Sequence, residues 1–525
     1  MFKTALIIGL YGYLIFLLGV LGLLYKNVII TFSFIYILVI FLLGLKLSNI
    51  TLNFKKYNLS KFSKLILFLI ITQAIVNLIG VLGPELSFDA LWYHLTIPKI
   101  FLENHRIFHI PGNLLYYSDL PKNIDLIYLS VLSFSNEIVV KFVHFGFGIL
   151  CLLALYKLSR KFINQEMSLL SCLIFYSSLV VGWQSITAYV DLGRTFFEIV
   201  ALYLLFLWIE KKSLKYLVYT AVCLGLSLAS KISAFNSIAI FTLIITLLYI
   251  SKRINFFNYI KNTSLLMFFS LLTVLPWFIF SYINTGNPVY PLFEANFILS
   301  YDRNPINIFN LMLFASDPIN PIYLITIPLI IFFFRKFDYK TRILVFYSVF
   351  SMIFWFVTSS TGGSRFILPY LAAYSILVLL ALNKIQYKNL RNYLILIIVV
   401  IALSSIGYRF LANYKYVPVI LGLESKNEFL SNNLNFSFGD FYDTDGYFKK
   451  NIKLEDKVLL FGFHNLYYVD FPYIDSSWVK KGDTFNYIAT QNIQIPKKFS
   501  DWKQIYYNDK TMVKLYSKEG KRWVY

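Results

Sequence analysis

The sequence predicts a polytopic, all-α membrane protein of about thirteen transmembrane helices, followed by a small α/β domain. Three observations carry this expectation. The 525 residues are 58% hydrophobic and only 14% charged, whereas soluble domains are about a quarter charged. Apolar runs of roughly twenty residues, each long enough to cross a bilayer, recur along most of the chain. After about Leu411 the composition changes, becoming rich in Asn, Asp, Lys and Tyr with only short apolar runs. The division is therefore residues 1–410 in the membrane and 411–525 outside it.

The runs start near residues 4, 28, 64, 137, 166, 191, 215, 232, 263, 320, 343, 366 and 392. Met1 to Leu24 has no small-residue cleavage signature and reads as a retained helix. With the N-terminus cytoplasmic, the loops "KLSNITLNFKKYNLSKFSK", "KLSRKF", "EKKSLK", "SKRINFFNYIKN", "RKFDYKTR" and "NKIQYKNLR" fall inside. They hold most of the loop Lys and Arg, as topology in a cell (inner or plasma) membrane requires. Outside lie the first outer loop (83–136), "TAYVDLGR", Asn284–Asn320, "TSSTGGSR" and the C-terminal domain. In that domain "KVLLFGF" and "LYYVDF" read as strands and "QIYYNDKTMVKLYS" as a hairpin. The formal net charge of +21 does not indicate nucleic acid, because the basic residues are spread through short loops. Cys151, Cys172 and Cys223 lie inside apolar runs, so no disulfide framework or metal-ligand spacing is visible.

Function is sought among polar groups at costly depths, since a charge at mid-bilayer costs roughly 2.5–3.5 kcal/mol on insertion scales. In "GPELSFDALWYHLTIPK", Pro84 ends the third helix at the outer surface. Glu85 and Asp89 follow four apart, and Trp92 and Tyr93 suit the headgroup level. A carboxylate there is reachable from water and from a lipid headgroup and can act as general base; the alternative is a solvated acid. His94, His105 and His109 lie in the same loop; the last two have i,i+4 spacing but no adjacent acidic ligand, so loop packing is favoured over a zinc site. Glu137, Lys141 and His144 form a stripe expected to face the interior, with a local Glu137–Lys141 pair. Asp191, Arg194 and Glu198 line one helical face, either as a site or as a buried structural set. Lys231 and Arg365 are exterior cations at helix starts, against the topological trend. An anion explains them, the Arg fork and Lys point charge both matching phosphate. Gly362 and Gly363 let backbone N–H groups join; snorkelling is the alternative.

Several motifs in order, "FDALWYHLTIPKIFLENHRI", "YYSDLPKNIDLIYL", "AYVDLGRTFFEIVALYLL", "GLSLASKISAF", "LPWFIFSYINTGNPVYPLF" and "GGSRFILPYLAAY", resemble the GT-C superfamily of integral-membrane glycosyltransferases. The branch is that of the lipid A aminoarabinose transferase and the protein O-mannosyltransferases, and the resemblance covers about residues 64–410. It implies a polyprenyl-phosphate-linked sugar donor, a lipid, glycan or protein acceptor, and transfer with inversion at the outer face. It puts Asp89 at the position of the catalytic base, Asp191 at a second acidic position, and Arg365 and Lys231 on the departing phosphate. Arg194 is grouped with these cations, and Tyr93 and His94 with the acceptor or loop. The mannosyltransferases carry Asp followed by Glu here; Asp89 is followed by Ala90, which leaves Glu85 for the second role and leaves a divalent cation open, with no cofactor otherwise implied. The competing readings are a transporter or flippase of lipid-linked sugars, weakened by the lack of an internal repeat, and an O-antigen ligase or polymerase, for which His105 or His109 matters more.

Overall fold

The computed structural model describes residues 1–44, 59–294, 304, 310, 312–314, 317–359, 363–518 and 522–525. Among these, nine helices are long and apolar enough to cross a membrane. They include α1 (Phe2–Val20), α3 (Lys61–Leu82), α6 (Glu137–Ser159), α9 (Asp191–Lys211), the span Ile232–Ile250, in which a short 3-10 turn leads into α11 (Phe235–Ile250), and α12 (Phe256–Thr285). The remaining three are Tyr339–Thr358, Ser364–Leu382 and Lys388–Tyr414. The other apolar runs of the sequence are shorter or broken. Helices α2 (Lys26–Leu42) and α10 (Leu214–Ser230) have 17 residues each. The run near 166 splits into α7 (Gln165–Tyr176) and α8 (Leu179–Gln184). Ser178, between them, has an extended ψ of 130° and returns its hydroxyl to the Ile174 carbonyl at 3.0 Å. The run near 320 splits into Ile322–Ile325 and Ile327–Phe333, the second with a proline in its first turn.

Contacts between the connecting segments fall into two groups. At one end, Glu210 pairs with Lys161 at 2.5 Å and Lys340 at 2.8 Å, and Ser60 donates to Glu166. At the other end, the first outer loop meets the C-terminal domain. That loop carries two short helices, α4 (Thr96–Glu103) and α5 (Asn123–Leu132).

The expected Glu137–Lys141 pairing is corrected. Glu137 accepts from Lys426 at 2.6 Å. Lys141 instead donates to the carbonyls of Gly80 and Gly83, both at 2.8 Å, and Pro84 at 3.3 Å. The last carbonyls of a helix lack partners within it, and a buried ammonium with three donors satisfies those of α3 better than it satisfies one carboxylate. His144 accepts the Leu192 N–H and donates to the Thr187 carbonyl, tying α6 to the start of α9.

The C-terminal domain is a five-stranded sheet in the order β2-β1-β4-β6-β5, with β3 (Thr484–Phe485) and β7 (Trp523–Val524) paired separately. Strand β1 (Val458–Phe461) runs parallel to β2 (Tyr473–Asp475) and β4 (Tyr487–Gln491). Strands β5 (Lys503–Asn508) and β6 (Val513–Ser517) form the expected hairpin, with Asn508 Oδ1 accepting two turn N–H groups at 3.0 Å. "LYYVDF" is not a strand. Its Tyr467 and Val469 carbonyls accept from Lys99 Nζ at 3.0 and 2.6 Å, so this backbone serves docking rather than a ladder. Tyr468 OH adds a bond to the Glu85 carbonyl at 2.9 Å. Nearby, Gly112 has φ +87° and lies so close to the Ser477 carbonyl that a Cβ would overlap it.

Candidate active site

Asp89 is positioned by the turn that leaves α3. Glu85 pins this turn: one carboxylate oxygen accepts the N–H groups of Leu86 and Ser87 at 2.9 and 2.8 Å, and the other accepts that of Ala188 at 2.6 Å. Ala90–His94 then coils as one π-helical turn, closed by Leu95 N–H on the Ala90 carbonyl at 2.9 Å, a distortion frequent at functional sites. It delivers Tyr93 OH to Asp89 Oδ2 at 2.8 Å. Trp92 is half-buried and packs against His464 of the C-terminal domain at 4.5 Å, with its indole N–H on the Leu114 carbonyl.

Two acid–base pairs face one another across this region. Arg365 donates to Asp89 Oδ2 at 2.6 Å, and Lys231 to Asp191 Oδ1 at 2.7 Å. Phe366 links them, its ring lying 4.9 Å from the Arg365 guanidinium and 4.6 Å from the Lys231 ammonium, while Tyr189 supports Arg365 from the other side at 4.9 Å. Such cation–ring contacts hold each charge in place. Burial disfavours the charged form of Asp89, but the Arg365 guanidinium, the neighbouring His94 and the Tyr93 hydroxyl outweigh it and hold the carboxyl below its ordinary range. Asp89, Tyr93, His94, Lys122, Lys231 and Arg365 line a cavity of about 490 Å³.

His94 is fixed in the cavity wall by Asp125, 2.8 Å from its Nδ1, and Lys122 Nζ stands 3.8 Å from the same carboxylate. Lys122 and Asp125 did not emerge from the residue-by-residue reading. Lys122 is an exterior cation, so the criterion that selected Arg365 and Lys231 also selects it.

Three candidates do not line this cavity; Asp191, fully buried, meets it only through Lys231. Glu85 spends both oxygens on backbone N–H groups. Arg194 is buried behind the cavity, donating to Ser233 Oγ at 2.8 Å and Tyr370 OH at 3.0 Å. It does not pair with Glu198, which accepts from Tyr347 OH at 2.8 Å, because helices packed on all sides of α9 supply closer hydroxyls. His105 and His109 also part: α4 ends at Glu103, His105 stacks on Tyr25 at 4.0 Å, and His109 meets Asp119 at 2.6 Å. A divalent-metal donor set does not assemble, since Asp89, Asp191 and Glu85 each have a different cation or N–H partner, and among the described residues no group of three or more His, Cys, Asp or Glu could hold a metal. Of the Gly-Gly pair before Arg365, Gly362 lies outside the described residues, as do residues 45–58 of the first basic loop.

The architecture around this site matches the crystal structure of ArnT from Cupriavidus metallidurans bound to undecaprenyl phosphate, with a TM-score of 0.61 over 87% of this chain and 98% of that one, at 10% identity. The fold is that of this ArnT. The apo form of the same ArnT matches with a TM-score of 0.59 at 11% identity, again over 87% and 98% of the two chains. Archaeal oligosaccharyltransferase AglB from Archaeoglobus fulgidus, in complex with an inhibitory peptide and a dolichol-phosphate, aligns over 82% of this chain and 70% of that one with a TM-score of 0.49 and 12% identity. The model of the dolichyl-phosphate-mannose-protein mannosyltransferase family matches residues 126–280, a stretch that runs from α5 to α12. No curated protein matches the chain. Within this fold, the Asp89–Arg365 pair joins the first outer loop to the start of a helix 276 residues later.

Proposed function

We propose that the protein is an inverting glycosyltransferase acting on a polyprenyl-phosphate-linked sugar at the outer face of a membrane. The observation that carries this reading is the meeting of Asp89 with two cations, Arg365 and Lys231, on one cavity of a GT-C fold. An acceptor hydroxyl loses its proton to Asp89, and its oxygen forms the new bond to the anomeric carbon. The bond from that carbon to the phosphate oxygen breaks, and the electron pair leaves with the phosphate. Arg365 and Lys231 stabilise the charge that develops there. Tyr93 orients the Asp89 carboxylate, Asp191 holds Lys231, and His94 lines the acceptor side. Glu85 and Arg194 act as supports for this wall, not as contacts to substrate.

The pairing of Asp89 with Arg365 also suggests an order of events. A carboxylate bonded to a guanidinium is a weak base. A donor phosphate offers Arg365 two oxygens in a matched fork, so donor binding draws the guanidinium away and raises the basicity of Asp89. The acceptor is then deprotonated only when the donor is in place.

The test compares surface glycans and glycolipids by mass spectrometry in wild type, a deletion strain and a strain with Asp89→Asn at matched protein level. Loss of a general base lowers transfer by about 10²–10⁴-fold, so the sugar missing in the deletion stays missing with Asp89→Asn. A wild-type glycan pattern with Asp89→Asn removes Asp89 from the chemistry and brings the transporter and ligase readings forward.

A further inference from the structure

A second cavity, of about 590 Å³, lies between the first outer loop and the C-terminal domain and shares no lining residue with the first. One wall is α4 with Phe108–Pro111; the other is formed by Leu454, Lys457 and residues 469–474 with Trp478. Its two walls are clamped together twice, by Lys99 on the Tyr467 and Val469 carbonyls and by the Gly112–Ser477 contact. The groove is therefore preformed, which lowers the ordering cost of binding.

Its chemistry is mixed in a particular way. Phe108, Tyr473 and Trp478 are its half-buried aromatic residues, Tyr473 and Trp478 being tilted at 54° with centroids 6.3 Å apart. Glu103 and the Tyr473 hydroxyl make no hydrogen bond to the described residues, and the Lys457 ammonium makes none either. A pyranose ring suits such a lining, because its C–H face packs on an aromatic ring while its hydroxyl rim takes hydrogen bonds from and to carboxylates, amides and ammonium groups. Glu103 and Asp470 disfavour phosphate-rich ligands, and an acyl chain leaves these polar groups unpaired.

We propose that this groove is a saccharide-binding site that holds the glycan part of an acceptor. The proposal rests on the transferase reading for the word acceptor and stands on the groove itself for saccharide binding. Fourteen residues separate Asp89 from Glu103 along the continuous segment that ends in α4, or about 20 Å at 1.5 Å per residue. An oligosaccharide of several rings spans that length, with its far end in the groove and its reacting hydroxyl at Asp89.

The experiment uses the full chain in lipid nanodiscs and measures binding of cello-, malto- and chito-oligosaccharides, from monomer to hexamer, by saturation-transfer NMR and calorimetry. At least one series is expected to bind saturably and more tightly as it lengthens. Trp478→Ala removes a stacking face and Glu103→Gln a charged acceptor; each is expected to weaken binding by about tenfold. Because Trp478 also packs within the domain, Glu103→Gln on the exposed side of α4 serves as the variant that leaves the core intact. Asp89→Asn is expected to bind saccharide as wild type does. Failure of every series to bind overturns the proposal, as does binding indifferent to Glu103→Gln, or binding abolished by Asp89→Asn, which assigns the sugar to the first cavity. If saccharide binds in the groove but Asp89→Asn transfers sugar normally, the transferase assignment of Asp89 fails while the groove stands as a saccharide site.

Discussion

Tyr93 and Arg365 both bond to the same oxygen of Asp89, so each contributes separately to when that carboxylate can take a proton. Both donors favour the ionised form, against burial, which favours the neutral one. Removing either donor therefore raises the Asp89 pKa. As the base must be ionised to act, the acid limb of the kcat/KM profile moves to higher pH in Tyr93→Phe, with a smaller loss of rate at high pH where the carboxylate is ionised again. An acid limb unmoved by Tyr93→Phe argues against Asp89 as the titrating group. Arg365→Gln moves the limb in the same direction and also raises the KM for donor, because the phosphate loses its fork. The candidates Asp89, Arg365 and Lys231 were legible because a charge beside an apolar run stands out in one dimension. Glu85 stood out equally, yet its oxygens belong to the Ala188 N–H, 103 positions away, and spacing along the chain carries no information about that bond.

Helix α3 ends where the site begins, and Lys141 of α6 holds its last carbonyls. Lys141→Met keeps the length of the side chain but leaves three buried acceptors without their donor. Such losses cost about 1–3 kcal/mol, so the expected result is a lower unfolding midpoint in detergent. The kcat is expected to fall as well, since the turn carrying Asp89 hangs from that helix end. A midpoint equal to wild type contradicts the capping role. The π-helical turn at Ala90–His94 belongs to the same scale. In sequence it is invisible, because over five residues a period widened by one residue cannot be told from an ordinary turn. Its consequence is that Tyr93 reaches back to Asp89. The break between α7 and α8 was hidden for a similar reason: the run is apolar throughout, and only the backbone shows that Ser178 interrupts it.

At the scale of the whole molecule, the bundle carries its acid–base pairs and the C-terminal domain at one end and Glu210 with its two lysines at the other. The Lys and Arg bias assigns the first end to the outside. Cysteine labelling checks this assignment cleanly, because Cys151, Cys172 and Cys223 are buried. In intact cells an impermeant thiol reagent is expected to reach Lys453→Cys, whose native side chain is 75% exposed, and to reach Lys211→Cys only after permeabilisation. The opposite pattern reverses the orientation. The sequence by itself determined that the chain crosses a membrane many times and changes character near residue 411, because hydropathy is summed locally along the chain. Tertiary structure alone decided which cation faces Asp89, where Glu85 and Arg194 spend their bonds, and how the domain docks. Those contacts join residues 276, 103, 176 and 368 positions apart, and their partners are chosen by the packing of helices and loops in space.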